Sequence, residues 1–140
     1  MLDNQFASFA GTGELILRIT LGLEFLLHGW RKLKGVGGFT TFLRQLGGHG
    51  PMFFAWMFAL LECAGAALLM VGLEARLVAF LLAVDRLVSI AVHRLRVGER
   101  SFASTPQDQR WELRFALLGA AVAMTFIGPG RWSIDAAFGL

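Results

Sequence analysis

The chain has 140 residues, of which 56% are hydrophobic and 16% charged, and its mean hydropathy is +0.61. A soluble domain carries about 25% charged residues, so this composition argues against a water-soluble domain and predicts an integral membrane protein. The basic residues cluster in loops beside hydrophobic segments, which is typical of membrane topology rather than of nucleic-acid binding. The single cysteine, Cys63, excludes an intramolecular disulfide and CxxC redox chemistry.

The first predicted helix, residues 13–34, is apolar enough to cross a bilayer but contains ionisable side chains within the span. Because the chain starts MLDNQFASFA, without a positively charged lead, we expect this helix to be retained rather than cleaved as a signal peptide. At 100° per residue, one face collects Glu14, Arg18, Leu21, Phe25, His28, Gly29 and Lys32, and Glu24 is a further ionisable residue within the span. A charge inside a membrane costs about 2.5–3.5 kcal/mol, so this face implies partner helices with polar inner surfaces.

The second and third predicted helices, residues 51–72 and 76–96, supply such surfaces. Pro51 suits the first turn of the second helix, whose only charge is Glu62. That acid shares a face of small residues with Ala55, Ala59, Gly65, Ala66 and Gly72, which allows neighbouring helices to approach closely. On the third helix, Asp85, Arg86 and His93 fall on one stripe.

Two further segments complete the chain. Between the first two spans, Phe39, Phe42, Leu43 and Leu46 follow a helical pattern, which predicts either a short amphipathic helix in the membrane surface or a loop. The fourth helix, residues 107–127, ends at a Gly-Pro-Gly sequence, and Arg114 is expected to point to its outer side. Its predicted inward face is Glu112, Phe115, Ala116, Gly119, Ala123 and Phe126.

The sequence therefore predicts an all-α fold, an integral membrane four-helix bundle with a short amphipathic interfacial segment between helices 1 and 2. The loops after the first and third spans hold most of the Lys and Arg residues. By the positive-inside rule, both basic loops are cytoplasmic and both termini lie on the outer side of a bacterial-type inner membrane. Lipid and other membrane protein subunits are the expected partners, and nucleic acid is not.

Several segments resemble those of a known family. In chain order they are RITLGLEFLLHGWRKLKG, ALLECAGAALLMVGLEAR, SIAVHRLRVGE, QRWELRFALL and GPGRWSID. Together they resemble the DoxX family of small four-helix membrane proteins, named for its likeness to the membrane subunit of a thiosulfate:quinone oxidoreductase. The resemblance implies a single transmembrane domain over residues 1–140. Its motif positions would be Arg18, Gly22, His28, Gly29, Lys32, Glu62, Gly65, Arg76, His93 and Glu112. One departure is the Asp85-Arg86 pair, which stands where relatives commonly have an apolar stretch.

The polar interior has two interpretations. In the first it is a quinone or small-oxidant site: His28 and His93 hydrogen-bond quinone carbonyls, and an acid exchanges protons, as carboxylates in low dielectric can do near neutral pH. The candidate acids are Glu24, Glu62 and Glu112. In the second, the charges only hold the helices together. The pairs expected in that case are Glu14–Arg18, Glu24–His28 and Asp85–Arg86, with Lys32 also in the polar core.

Two other hypotheses follow from what the chain contains. His28 and His93 are also candidates for the ligands of a haem between two helices. This hypothesis is weaker than quinone binding, because two histidines at such positions also arise by chance. No metal site is predicted. The chain has no dithiol and no Gly-rich dinucleotide fingerprint, so alone it is not expected to run multi-step redox chemistry. The alternative to a redox component is a non-catalytic accessory subunit of a larger respiratory or photosynthetic complex. Catalytic residues, and whether the chain is an enzyme, stay open.

Overall fold

A computed structural model describes residues 9–94 and 109–139, and helices make up most of this part of the chain. The helices are α1 (Ala10–Lys34), α2 (Val36–Gln45), α3 (Pro51–Val71), α4 (Ala75–Val92), α5 (Gln109–Ile127) and α6 (Ile134–Phe138). The predicted all-α fold is confirmed over these ranges, where no strand occurs. The predicted end of the third helix at residue 96 and start of the fourth at residue 107 lie outside them.

The long helices associate as two pairs. α1 packs most extensively against α3, and α4 against α5, while smaller contacts join α3 to α4 and α1 to α5. A common core fills the space between the pairs, and large side chains from each helix take part in it. Its largest members are Leu21, Phe25, Leu69, Leu82, Leu117 and Met124.

The buried faces of α1 and α3 agree with the patterns in the sequence. All of the small-residue face of α3, including Glu62, is buried. On α1, Arg18, Leu21 and Phe25 are buried, whereas Ile16 and Trp30 on the opposite face are more than half exposed. Charged residues marked these faces because a charge is costly to place against lipid, and small residues marked them because they allow helices to approach closely.

The predicted inward face of α5 is wrong. Phe115 and Phe126 are 55% and 78% exposed, and Glu112 is exposed as well. The buried residues are Leu117, Ala121 and Met124, and half-buried Arg114 lies one turn before Leu117 on the same side. Because α5 is apolar all round, apolar spacing does not identify its inner face, and the assumption that its acid points inward set the wrong rotation.

The connection between α1 and α3 forms a helix rather than a loop. α2 follows α1 directly at Gly35 and lies on α3, with Phe39, Phe42 and Leu43 half-buried and Arg44 and Gln45 exposed. This is the amphipathic arrangement expected of a helix that covers an apolar surface on one side and meets a polar phase on the other.

The end of α3 depends on a glycine. Gly72 has a φ of +75° and its N–H donates to Leu68 O at 2.9 Å, so the helix ends in a left-handed residue. A Cβ at this position would lie 2.6 Å from Cβ of Ser133. Backbone conformation and lack of space therefore both require glycine here, where α3 turns into α4 beneath the C-terminal segment.

Candidate functional site

Glu62 is the centre of a charged cluster between α1, α3 and α4. Its side chain is fully buried, and its Oε1 accepts from Lys32 Nζ at 2.9 Å and from a guanidinium nitrogen of Arg86. Arg86 is 3% exposed, while the Lys32 side chain is 23% exposed and so reaches the edge of the protein interior. One buried carboxylate thus joins three helices through two cations.

Asp85 and Phe25 surround the inner cation of this cluster. Asp85 Oδ2 lies 3.7 Å from Arg86 Nε, too far for a hydrogen bond, and the guanidinium lies 4.6 Å from the centre of the Phe25 ring. Among the described residues, the buried side-chain atoms that lack a hydrogen-bond partner are Glu62 Oε2, Asp85 Oδ2 and Arg86 Nε in this cluster, and Arg18 Nε outside it. Such atoms are costly in a purely structural cluster, which favours full satisfaction of its polar groups.

Gly29 allows α1 to approach α3 closely enough for the Lys32–Glu62 contact. A Cβ at residue 29 would lie 2.8 Å from both Cys63 Sγ and Glu62 Cβ and 2.9 Å from the Cys63 backbone nitrogen. A side chain there would push the two helices apart, because a backbone atom cannot move aside as a flexible side chain does. The resemblance to DoxX gave this glycine as a motif position, and the packing supplies a physical reason for it.

A cavity of about 730 Å³ opens beside the cluster, within the usual range for small-molecule sites. Lys32 and Arg86 form part of its wall, so the cavity reaches the charged cluster directly. Its other polar lining residues are Glu24, His28, Arg31, Ser89, His93 and Arg114, and its apolar ones are Leu27, Phe39, Phe42 and Leu113. Basic side chains outnumber the one acid in this lining, which makes the cavity favourable for an electron-rich or anionic group.

The hydrogen bonds of the two histidines determine which ring nitrogen is left for a ligand. His28 Nδ1 lies 2.7 Å from the backbone oxygen of Glu24, and His93 Nδ1 lies 2.8 Å from that of Ser89. A carbonyl oxygen only accepts, so each Nδ1 carries the proton and donates it. In a neutral imidazole, Nε2 is then the acceptor, directed away from the ring's own helix. In this tautomer the two neutral rings offer lone pairs, so they do not donate to quinone carbonyls as expected from the sequence. A ligand that bonds to both brings donor groups, such as hydroxyl groups.

The predicted site residues divide into two groups. Glu24, His28 and His93 line the cavity, and Glu62 lies behind it, bonded to Lys32 and Arg86. Glu112 is exposed on α5 and does not line this cavity. Arg114, expected on the outer side of its helix, lines the cavity instead. The aromatic wall formed by Phe39 and Phe42 was not predicted, although their helical spacing was, because the sequence does not say which helix α2 covers.

The expected Glu14–Arg18 pair is replaced by a different arrangement. Arg18 donates through Nη1 to Pro129 O at 2.7 Å and through Nη2 to Trp132 O. These carbonyls belong to the segment after α5, where the Gly-Pro-Gly turn leaves them without helical partners. The guanidinium is therefore stabilised by the dipoles of these backbone carbonyls rather than by the carboxylate of Glu14, one turn away on α1.

Asp135 completes the same region. Its carboxylate accepts from the backbone N–H groups of Glu74 and Ala75 at 2.7 and 2.9 Å, so a remote side chain caps the N-terminus of α4. The Asp135 N–H in turn donates to Gly72 O at 2.9 Å. We call this region, formed by Arg18 and Asp135 with their backbone partners, the closed end; Glu62 with Lys32, Asp85 and Arg86, next to the cavity, is the open end.

Comparison with known proteins places these features in a family. Residues 13–94 match the DoxX family. "Putative oxidoreductase CatD" of Bacillus subtilis is 33% identical over 84 residues, which are 60% of this chain and 61% of CatD, so the match spans less than two thirds of that protein. An uncharacterized membrane protein of Mycobacterium tuberculosis is 28% identical over 133 residues, 86% of this chain and 78% of that protein. The inner membrane protein YphA of Escherichia coli is 26% identical over 121 residues, 86% of each. No solved structure matches the chain.

Proposed function

The chain belongs to the DoxX family of membrane proteins, and from that premise we propose that it is a four-span component of a membrane oxidoreductase system whose cavity binds the ring of a quinol. The observation that carries this proposal is the pair of histidines, His28 and His93, each with Nδ1 bonded to its own helix and both lining the cavity that reaches Lys32.

Burial of the charges supports four membrane-spanning helices. By length and hydropathy, one helix of the described ranges, α3, qualifies as a membrane span. α1, α4 and α5 have 25, 18 and 19 residues, close to or above the roughly 20 that a bilayer requires. Arg18, Asp85 and Arg86 lower the hydropathy of α1 and α4, but these side chains are buried inside the protein. The surfaces these helices expose are rich in large apolar side chains, as lipid contact requires.

The orientation proposed from the sequence follows the basic residues. Arg31, Lys32, Lys34 and Arg44 lie at the end of α1 and in α2, which gives this side of the protein its positive charge. With the positive-inside rule, the open end then faces the cytoplasm, and both termini lie on the outer side with the closed end. Protons taken up or released in the cavity would then be exchanged with the cytoplasm.

The residues of the cavity suit a quinol in two respects. Each neutral histidine accepts a hydroxyl proton at Nε2, so His28 and His93 hold the reduced ring and take up its protons. Lys32 and Arg86 place positive charge beside the ring oxygens, which stabilises negative charge that develops there when a proton is removed. A bound quinone supplies two-electron, two-proton chemistry, and the electrons pass to or from an electron-carrying partner protein. Glu62 keeps the two cations in place.

Binding of the ring alone tests this proposal. Purified protein in lipid nanodiscs is titrated with benzoquinol and naphthoquinol rings that carry no long side chain, and with their oxidised forms. We expect saturable binding with severalfold preference for the quinol, because neutral Nε2 accepts but does not donate. His93→Ala should weaken quinol binding about tenfold, the loss of one buried hydrogen bond of about 1–1.5 kcal/mol.

A matched control is the third histidine. His49 is exposed in the turn before α3, so His49→Ala should bind like the wild type. Equal affinity of the wild type and His93→Ala for both ring types, or absence of saturable binding, would contradict the proposal.

The second candidate function, an accessory subunit, is favoured by one observation: each cation of the cluster already pairs with Glu62, so the cluster also acts as a link between helices. In that case the native protein would be recovered in stoichiometric amount with a larger complex, and isolated protein would bind no quinol ring.

A further inference from the structure

Two smaller cavities continue the large one beneath α2. The first, of about 80 Å³, shares Lys32, Phe42 and His93 with the large cavity and is also lined by Phe58 and Val92. The second, of about 240 Å³, shares Phe58 and Val92 with the first. Because neighbouring cavities share wall residues, the three spaces lie one after another, from the charged cluster to the start of α3.

The chemistry of the lining changes along this path. The large cavity is walled by cations and histidines, and the first small cavity combines Lys32, Asp85 and His93 with phenylalanine and valine side chains. The last cavity has no charged side chain: it is lined by Gly48 together with Leu43, Leu46, Pro51, Phe54, Phe58 and Val92. We call this last space, with the small cavity before it, the apolar slot. The lining thus changes from polar to apolar along the path, as an amphiphilic molecule changes from its head group to its tail.

α2 forms the cover of this slot. Leu43 lines both small cavities, and the Phe42 ring lies 5.7 Å from that of His93, so the inner face of α2 reaches the histidine that lines the cavity. Those inner residues are half-buried and line the cavities beneath the helix. Arg44 and Gln45 on the outer face are exposed, which suits a helix at the boundary between lipid and water.

We propose that the apolar slot holds the hydrocarbon tail of the quinol whose ring occupies the large cavity, and that the molecule enters sideways from the bilayer beneath α2. This inference rests on the proposed function. It follows from the lining residues that the slot shares with the large cavity and from the absence of charged side chains in the lining of the last part of the slot. A water-soluble ligand would gain nothing from that part, whereas a hydrocarbon chain from the bilayer can occupy it without leaving an apolar environment. The ligand class is therefore a lipid-soluble quinol with an unbranched or isoprenoid chain.

The position of the tail can be mapped directly. A quinol with a photoactivatable diazirine at the end of a ten-carbon chain is bound to the protein in nanodiscs and irradiated, and the labelled residues are identified by mass spectrometry. We expect labels within residues 43–58 and around Val92, suppressed by excess unlabelled tailed quinol. Val92→Phe fills the slot and should reduce this labelling about tenfold while leaving affinity for the tailless ring unchanged. The matched control is Val71→Phe, since Val71 is 48% exposed on the outside of α3, and it should label like the wild type.

The outcomes separate the two proposals. Labels scattered over the exposed faces of α1 and α5, with binding of the tailless ring retained, would overturn the tail site and leave the ring site standing. Labels at residues 43–58 that a phospholipid suppresses as well as the quinol does would also overturn it, since the slot would then be a lipid site. Failure of both tailed and tailless quinols to bind would overturn the proposed function together with the inference.

Discussion

Buried arginines occur at both ends of the molecule, and their partners differ. At the closed end, Arg18 bonds to two backbone carbonyls and Asp135 bonds to two backbone N–H groups. At the open end, Arg86 and Lys32 share one oxygen of Glu62, and the other oxygen has no hydrogen-bond partner. The two ends use the same residue types, so residue type alone does not tell a structural charge from a functional one. Both ends leave a buried polar atom without a hydrogen-bond partner, Arg18 Nε at the closed end among them. The distinguishing features are backbone partners at the closed end and, at the open end, side-chain partners beside a cavity.

The difference has a physical basis in what each end must do. A charge bonded to backbone groups holds chain segments at fixed positions and cannot release its partner without unfolding them. A cluster of side chains can exchange partners or protons, and here one member, Lys32, reaches the cavity wall. We therefore propose that the closed end provides stability and that the open end binds the ligand, and substitutions at the two ends should separate these properties.

The largest effect on stability is expected from Arg18→Leu. The substitution leaves the Pro129 and Trp132 carbonyls without their donor and removes a favourable charge from the surroundings of Asp135. Losing one partner of a buried charged network costs about 3–5 kcal/mol, so Tm in mild detergent should fall by ten degrees or more. Arg44→Leu on the exposed face of α2 is the control and should leave Tm within a few degrees of the wild type. An unchanged Tm in Arg18→Leu would contradict the proposal that the closed end stabilises the fold.

A smaller effect on stability, with complete loss of ligand binding, is expected from Glu62→Leu. The substitution leaves Arg86 buried with only Asp85 nearby, while Lys32 can turn towards the cavity. Removing the second charge in the double variant Glu62→Leu/Arg86→Leu should restore part of the lost Tm, because no buried arginine is left without Glu62, whereas Asp85 loses its neighbouring cation. Quinol binding should be absent in both variants, since the cations are displaced or removed. If binding returned together with stability in the double variant, the open end would be structural like the closed end.

The helices and the inner faces of α1 and α3 could be predicted from the sequence because charged and small residues are informative in an apolar chain. Arg18 and Glu62 were placed inside on that basis, and both are buried. The face of α5 could not be predicted, because Leu, Ala, Phe and Val on every side give no preferred direction. Arg114 was accordingly placed on the wrong side.

The partners of the buried charges were harder to predict than their burial. Local spacing favoured Glu14 for Arg18, but the guanidinium reaches carbonyls more than a hundred residues further along the chain. Likewise, the pairing of Lys32 with Glu62 depends on close contact between α1 and α3 at Gly29, a tertiary contact that helical periodicity does not specify. Sequence periodicity gives the face of one helix, whereas a site between helices also requires knowing which helices are neighbours.

A quinol held at the open end should remain with the protein during purification. The most direct measurement is the content of quinone and quinol in the protein purified from its own membranes in gentle detergent, by organic extraction and chromatography, against Glu62→Leu/Arg86→Leu purified in parallel. We expect a lipid-soluble quinol in near-stoichiometric amount with the wild type and little with the double variant. Equal, substoichiometric traces in both would contradict it.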